Sequence, residues 1–259
     1  MKEQTALVTG ASSGIGLELA RIFAQEGYNL VLVARRADLL ERLAGELRQR
    51  HGVWVKVLPK DLAQPSAPDE ISHQLVRESI EVDILVNNAG FGIYGEFADG
   101  DLKSELNMIR VNVAALTHLT HLFLQGMRKR RHGKILNIAS TAGFQPGPLM
   151  AVYYATKAYV VSFSQAIANE LKGSGVTITA LCPGLTESEF HKVAGMDETH
   201  LVKGVMMDSR IVAHIGYEAL MKGKALAIAG FYNTALAFLV KFAPRDVVTA
   251  AVRRIHRRS

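Results

Sequence analysis

The turn near the start of the chain limits its fold most. Ala6–Thr9 is a short apolar run, and Thr9-Gly10-Ala11-Ser12-Ser13-Gly14-Ile15-Gly16 follows it directly. Ile15–Glu26 then places Ile15, Leu19, Ile22 and Phe23 on one face at helical spacing. A buried strand therefore runs through a glycine turn into a helix. Glycine suits this turn because the backbone must bend tightly and approach a ligand closely. The helix start offers free N–H groups and a positive dipole end, which together suit a pyrophosphate. Gly10, Ser12, Ser13, Gly14, Ile15 and Gly16 are the candidate phosphate-binding residues.

Such a unit needs parallel partners, and the rest of the chain supplies them. Asn29–Ala34 is continuously apolar, as a strand buried on both faces should be. Val53–Leu58, Asp83–Val86, Gly133–Ala139, Val176–Leu181 and Ala225–Ala229 read as further strands. Helical spacing is predicted for Ala37–Arg50, Asp69–Ser79, Leu102–Arg130 and Val152–Lys172. The alternation predicts an α/β fold, a doubly wound parallel sheet of the Rossmann-like kind, as a single domain over residues 1–230. An apolar content of 49% in 259 residues is enough for that core. Leu185–Asp208 is irregular and follows a late strand, so residues 185–210 read as a substrate lid. Residues 231–259 read as a C-terminal apolar and basic helical extension.

Charge restricts the partners. The net charge is +6, with much of it in Arg128–Arg131 and in Arg253, Arg254, Arg257 and Arg258. Neither cluster alternates with aromatic residues as a base-stacking surface does, so both read as solvated helix ends and nucleic acid is not an expected partner. His118, His121, His191 and His200 lack metal-ligand spacing, so no metal is expected. The single cysteine, Cys182, fits a reducing compartment and a buried, inert role. Met1–Gln4 leaves little room for a leader before the first strand, so a cytoplasmic location is expected. Asn233–Phe242 carries Leu236, Leu239 and Val240 at helical spacing ahead of the basic tail. That stripe is expected to pack on the domain, with peripheral membrane contact through the C-terminal helix as the alternative.

The chemistry-bearing residues follow the strand ends. The second strand ends Val33-Ala34-Arg35-Arg36. An acid there would bond a ribose 2′-hydroxyl, whereas arginine presents a donor fork to a 2′-phosphate. Arg35 and Arg36 also open a helix, where a cation is unfavourable unless an anion joins it. These residues point to NADP(H) rather than NAD. Tyr153 and Lys157 stand four apart on a predicted helix and share a face, while the corresponding partner of Tyr154 is Ala158. Near an ammonium, a tyrosine can give a proton to a carbonyl oxygen or take one from an alcohol. Ser140 ends a strand and can donate to the same oxygen. Asn112 lies inside the long helix, where Asn is mildly unfavourable and needs a reason.

The Gly-x-x-x-Gly-x-Gly turn, taken with Tyr153 and Lys157, resembles the short-chain dehydrogenase/reductase family over Lys2 to Gly230. The resemblance implies that Asp61 accepts from the adenine amino group with Leu62 beside it; Asp61 can also cap a helix. It implies that Asn88, Ala89 and Gly90 lie beside the adenine ribose, and that Lys157 binds the nicotinamide ribose. It implies that Asn112 kinks its helix and holds a water bonded to Lys157. Pro183 and Gly184 would pin the nicotinamide, with Thr186 and Ser188 as candidates to bond its carboxamide. The implied function is NADPH-dependent reduction of a ketone, aldehyde or 3-oxoacyl-type carbonyl, by a homodimer or homotetramer. The rival is a non-catalytic NADP(H)-binding sensor or scaffold, whose sequence mark would be loss of the Tyr or the Lys.

Overall fold

The computed structural model describes residues 4–190, 194–196 and 206–256. Its strands are β1 (Thr5–Thr9), β2 (Asn29–Ala34), β3 (Val55–Pro59), β4 (Ile84–Asn87), β5 (Gly133–Ile138), β6 (Val176–Cys182) and β7 (Leu226–Ile228). They form one sheet in the order β3-β2-β1-β4-β5-β6-β7. Every pairing is parallel. The order reverses between β1 and β4, so a crevice opens beyond the carboxyl ends of those strands.

Alternate residues of each strand serve opposite faces. Ala6, Val8, Leu30, Leu32 and Ile84 pack on one side with Leu19 and Phe23 of α1 (Gly14–Gln25) and Leu40 and Leu47 of α2 (Ala37–His51). Leu7, Val31, Val33 and Leu85 pack on the other, against Ile71 and Leu75 of α3 (Ala67–Arg77). Double burial is the reason these strands read as unbroken apolar runs.

The segment expected as one helix over Leu102–Arg130 is three. α4 (Leu102–Ile109) passes into a π-helical stretch, Arg110–Ala115, and then into α5 (Leu116–Arg130). Asn112 sits in the widened turn and is buried. Its amide donates to the Phe91 carbonyl at 2.9 Å and to Thr156 Oγ1 at 3.1 Å, and its Oδ1 accepts from the Phe91 N–H at 3.1 Å. The interrupted ladder is thus held open by side-chain bonds to two neighbouring elements. The basic run Arg128–Arg130 fills the last turn of α5, where the dipole favours cations.

After α6 (Ala151–Glu170) and β6, the expected lid begins and ends in a clasp. Thr186 bridges Met207, with Met207 N–H donating to the Leu185 carbonyl at 2.8 Å. Residues 191–193 and 197–205 of that lid, including His191 and His200, lie outside the described residues. α7 (Ser209–Met221) then packs beside α1.

The extension forms two helices, α8 (Phe231–Leu239) and α9 (Arg245–His256), and Pro244 stands between them. α9, for which no burial was expected, encloses Val248, Val252 and His256. The packing expected of the Asn233–Phe242 stripe fails for most of it. Leu236 and Leu239 are exposed, as are Phe231 at 91% and Phe242 at 73%, while Val240 packs inward. Arg257 and Arg258 lie outside the described residues.

Candidate active site

The phosphate turn is built around close backbone approach. Gly10 and Gly14 have φ of +65° and +55°. A Cβ on Gly16 would stand 2.3 Å from Asn88 Nδ2 and 2.4 Å from the Gly10 carbonyl oxygen. Asn88 fixes the turn by donating from Nδ2 to the Thr9 carbonyl at 3.0 Å and the Gly10 carbonyl at 3.1 Å. Thr9 Oγ1 in turn accepts from the Asn88 N–H at 2.9 Å and the Ala89 N–H at 3.1 Å. No side-chain oxygen caps the start of α1, and its first turn holds no acid. That leaves a helix start suited to an anion. Asn88 thus acts on the turn itself. Asn87 faces the other way, into a buried chain in which it donates to Thr120 and Asn137, and Asn137 donates to Ser164. Asn137 and Ser164 carried no sequence signal, because their pairing depends on strand register.

At the end of β2, Arg35 and Arg36 stand exposed at the edge of a cleft of about 790 Å³ that also borders Ser12, Ser13, Asp61 and Leu62. Arg36 forks onto Glu189, Nη1 to Oε1 at 3.1 Å and Nη2 to Oε2 at 2.7 Å. Its Nη2 also lies 3.1 Å from the hydroxyls of both Ser12 and Ser13. Glu189 was not anticipated. Asp61 accepts from the Ala63 N–H at 3.0 Å in a tight turn. The helix-cap alternative is not what forms, since α3 starts six residues later, at Ala67.

The reacting residues meet where β5, β6 and α6 converge. Ser140 follows β5 and accepts from the Ala142 N–H at 3.1 Å. Tyr153 borders the same cleft. Burial pushes the Tyr153 phenol up to about 12, and the nearby Ser140 hydroxyl opposes that rise. The phenol is therefore protonated near neutral pH, the state a proton donor needs. Lys157 is buried, and its ammonium donates to the Ile138 carbonyl at 2.8 Å, 5.7 Å from the centre of the Tyr153 ring. Burial lowers its pKa to about 8, with the Cys182 sulfur acting the other way. Lys157 thus bonds the backbone rather than the phenol. Gly90 lies between Asn112 and Lys157, since a Cβ there would be 3.0 Å from Asn112 Oδ1 and 3.5 Å from Lys157 Nζ. Cys182 is buried, and its thiol is pushed up to about 12 by that burial, which leaves it unreactive.

Thr141 N–H donates to the Pro183 carbonyl at 2.8 Å and sets the turn beside Ser140. Thr186 is buried and bonds the Gly184 carbonyl at 3.0 Å, while Ser188 Oγ lies 3.4 Å from the Thr186 carbonyl. Both border the cleft, as do Pro183 and Gly184. Phe190 packs on Tyr153 with ring centres 5.2 Å apart. The cleft is closed further by Tyr232, Leu236, Val252 and His256 of the C-terminal extension, which sequence reasoning did not assign to the site. Among the described residues, no group of three or more His, Cys, Asp and Glu side chains could hold a metal.

Comparison with known proteins places this geometry. Residues 4–199 match the model of the short chain dehydrogenase family, and the chain belongs to that family. A very-long-chain 3-oxoacyl-CoA reductase of Phaeosphaeria nodorum is 35% identical over 192 residues, covering 73% of this chain and 56% of that protein. The match therefore spans little more than half of that relative. The type 3 17-beta-hydroxysteroid dehydrogenase of Mus musculus is 33% identical over 219 residues, covering 83% of this chain and 71% of that protein. Among solved structures, a short-chain dehydrogenase from Sphingobium yanoikuyae in complex with NADPH superposes with a TM-score of 0.85, at 33% identity and 95% coverage of each chain.

Proposed function

We propose that this protein is an NADPH-dependent oxidoreductase that reduces a ketone, aldehyde or 3-oxoacyl-type carbonyl. The observation that carries the reading is the convergence of Tyr153, Ser140 and Lys157 on one cleft that also borders the glycine turn and Arg35. NADPH supplies the hydride when bound. The glycine turn and the start of α1 hold its pyrophosphate, and Arg35 and Arg36 its 2′-phosphate. Asp61, Leu62, Asn88, Ala89 and Gly90 line the cleft where they would hold its adenosine, and Pro183, Gly184, Thr186 and Ser188 where they would hold its nicotinamide. Tyr153 gives its proton to the carbonyl oxygen while the Ser140 hydroxyl donates to that oxygen as charge develops. Lys157, close to the phenol and charged below about pH 8, favours the tyrosinate that results. Asn112 holds the backbone around Gly90 in place and so sets the space in front of Lys157. Consumption of NADPH absorbance with an aldehyde and ketone panel tests the reading. NADPH binding without turnover on any carbonyl would leave only the sensor role.

Assembly as a homodimer or homotetramer is supported by α6. Between Ala151 and Asn169 its one charged residue is Lys157, which is buried, and its exposed side carries Ala155, Ala158 and Tyr159. Sedimentation at micromolar concentration should show no dominant monomer, and a clean monomer would count against this interface. Peripheral attachment to an anionic membrane is supported by exposed Phe231, Tyr232, Phe238 and Phe242 beside Lys241 and Arg245. Among the described residues, no helix is long and apolar enough to cross a membrane.

A further inference from the structure

The C-terminal extension is fastened to the reaction cleft at one residue. His256 is 1% exposed, although it stands at the end of α9. Its Nδ1 lies 2.7 Å from the Pro148 carbonyl oxygen, and its Nε2 lies 2.9 Å from the Tyr154 hydroxyl. Its own carbonyl accepts from the Tyr94 hydroxyl at 2.7 Å. A carbonyl only accepts, so Nδ1 carries a proton and donates it to Pro148. Burial holds the imidazole pKa below its ordinary value, so the ring is neutral near pH 7. Nε2 is then a bare acceptor, and the Tyr154 O–H donates to it. Both ring nitrogens are satisfied in a single tautomer.

The three partners belong to the frame of the cleft. Tyr154 adjoins Tyr153, with ring centres 6.1 Å apart. Pro148 lies in the segment that carries Met150, and Tyr94 lies in the loop after β4. One turn earlier on α9, Val252 packs in the same cluster as Met150 and Tyr154, and Arg253 pairs with Glu96 at 2.8 Å. α9 is therefore tied to each segment that brackets Tyr153. Met150, Phe190, Met196, Leu236, Val252 and Ile255 give the cleft an apolar patch. Such a patch rewards apolar surface.

We propose that His256 is a positioning residue that clamps α9 against Tyr94, Pro148 and Tyr154, and that the wall so fixed selects carbonyl compounds with a bulky apolar body. The specificity half rests on the reductase reading above; the clamp does not. Each methylene that reaches the wall adds about threefold to fourfold to binding, whereas a small ketone stops short of it.

The test uses the full chain with NADPH and two ketones, butanone and valerophenone. His256→Ala should raise KM for valerophenone about tenfold, the loss expected for a buried polar anchor, with kcat and the butanone constants within about twofold. His256→Gln, whose amide can both donate to Pro148 and accept from Tyr154, should recover most of that loss. Trypsin cleavage after Arg254 should be about tenfold faster in His256→Ala than in wild type, with recovery again in His256→Gln. Equal loss for both ketones overturns the specificity role. An unchanged cleavage rate overturns the clamp. A wild-type protein that reduces neither ketone nor any other carbonyl refutes the reductase reading, and the trypsin comparison still decides the clamp.

Discussion

If the end of β2 receives a 2′-phosphate, removing Arg35 and removing Glu189 must act in opposite directions. Arg36 is held by Glu189 at 2.7 Å, but the two side chains are 42% and 54% exposed. An ion pair so open to water is worth at most about 1 kcal/mol. A charge-assisted bond from arginine to phosphate is worth about 1.5–3 kcal/mol. The phosphate therefore wins Arg36 from the carboxylate, with a surplus of roughly 0.5–2 kcal/mol by the same two estimates. Glu189→Gln removes both the competitor and a like charge, and should tighten NADPH by up to about fivefold. Arg35→Ala should weaken NADPH by about 10- to 150-fold. Neither change should move NADH by more than about twofold, since NADH presents a hydroxyl at that place. Calorimetric titration of both cofactors into each variant measures all of this. Equal affinity of the wild type for NADPH and NADH would refute the reasoning, and so would weaker NADPH binding by Glu189→Gln.

The remaining predictions concern the reacting pair and the tail. Tyr153→Phe should abolish nearly all turnover and leave NADPH affinity within about threefold, because one hydroxyl is lost. Tyr154→Phe should be far milder in kcat; the reverse order in steady-state assays would misplace the catalytic residue by one position. Lys157 is lowered from 10.5 to about 8, so below about pH 8 the folded state bears the whole penalty of a buried charge. Between those values the unfolded chain holds a proton that the folded chain has released, so stability rises with pH, by at most about 3 kcal/mol. Urea titrations at about pH 7.5 and pH 10 should show that rise in wild type and not in Lys157→Met; parallel behaviour would mean that Lys157 titrates normally. Truncation after Gly230 should lower the melting temperature, because it removes buried Val248, Val252 and His256; unchanged melting with loss of anionic-vesicle binding would make the extension a membrane attachment alone.

What was legible in the sequence was local. The glycine turn is read from eight consecutive residues, and the Tyr153–Lys157 pair from a spacing of four, which helix geometry alone turns into a shared face. The strand runs were legible because parallel strands buried on both faces have no polar alternation to interrupt them. The unread parts depend on distant pairings. Glu189 meets Arg36 across 153 residues, and His256 meets Tyr154 across 102. No periodicity connects such positions; only sheet order and the course of the lid bring them together.

Two other gaps have different physical causes. Periodicity over Leu102–Arg130 is nearly the same whether or not one turn is widened, so the π-helical stretch left a single mark, an asparagine in an apolar run. That mark was readable as a functional residue but not as a change of helix type, because the bonds that hold the turn open reach Phe91 and Thr156 on other elements. The tail shows the limit of an amphipathic stripe. Apolar side chains at helical spacing demand something to cover them, without saying what. α9 finds the domain through Val248 and Val252, which join the apolar cluster around Tyr154, and His256 adds a polar anchor at its end. α8 is the more apolar helix but the less one-sided of the two, and only Ala237 is fully buried in it; its Phe238 packs on Phe242, just beyond the helix end, with 5.0 Å between ring centres. Burial in this extension thus follows one-sidedness rather than total apolar content: α9 gathers Val248, Val252 and His256 on one face, whereas the apolar residues of α8 are spread around it.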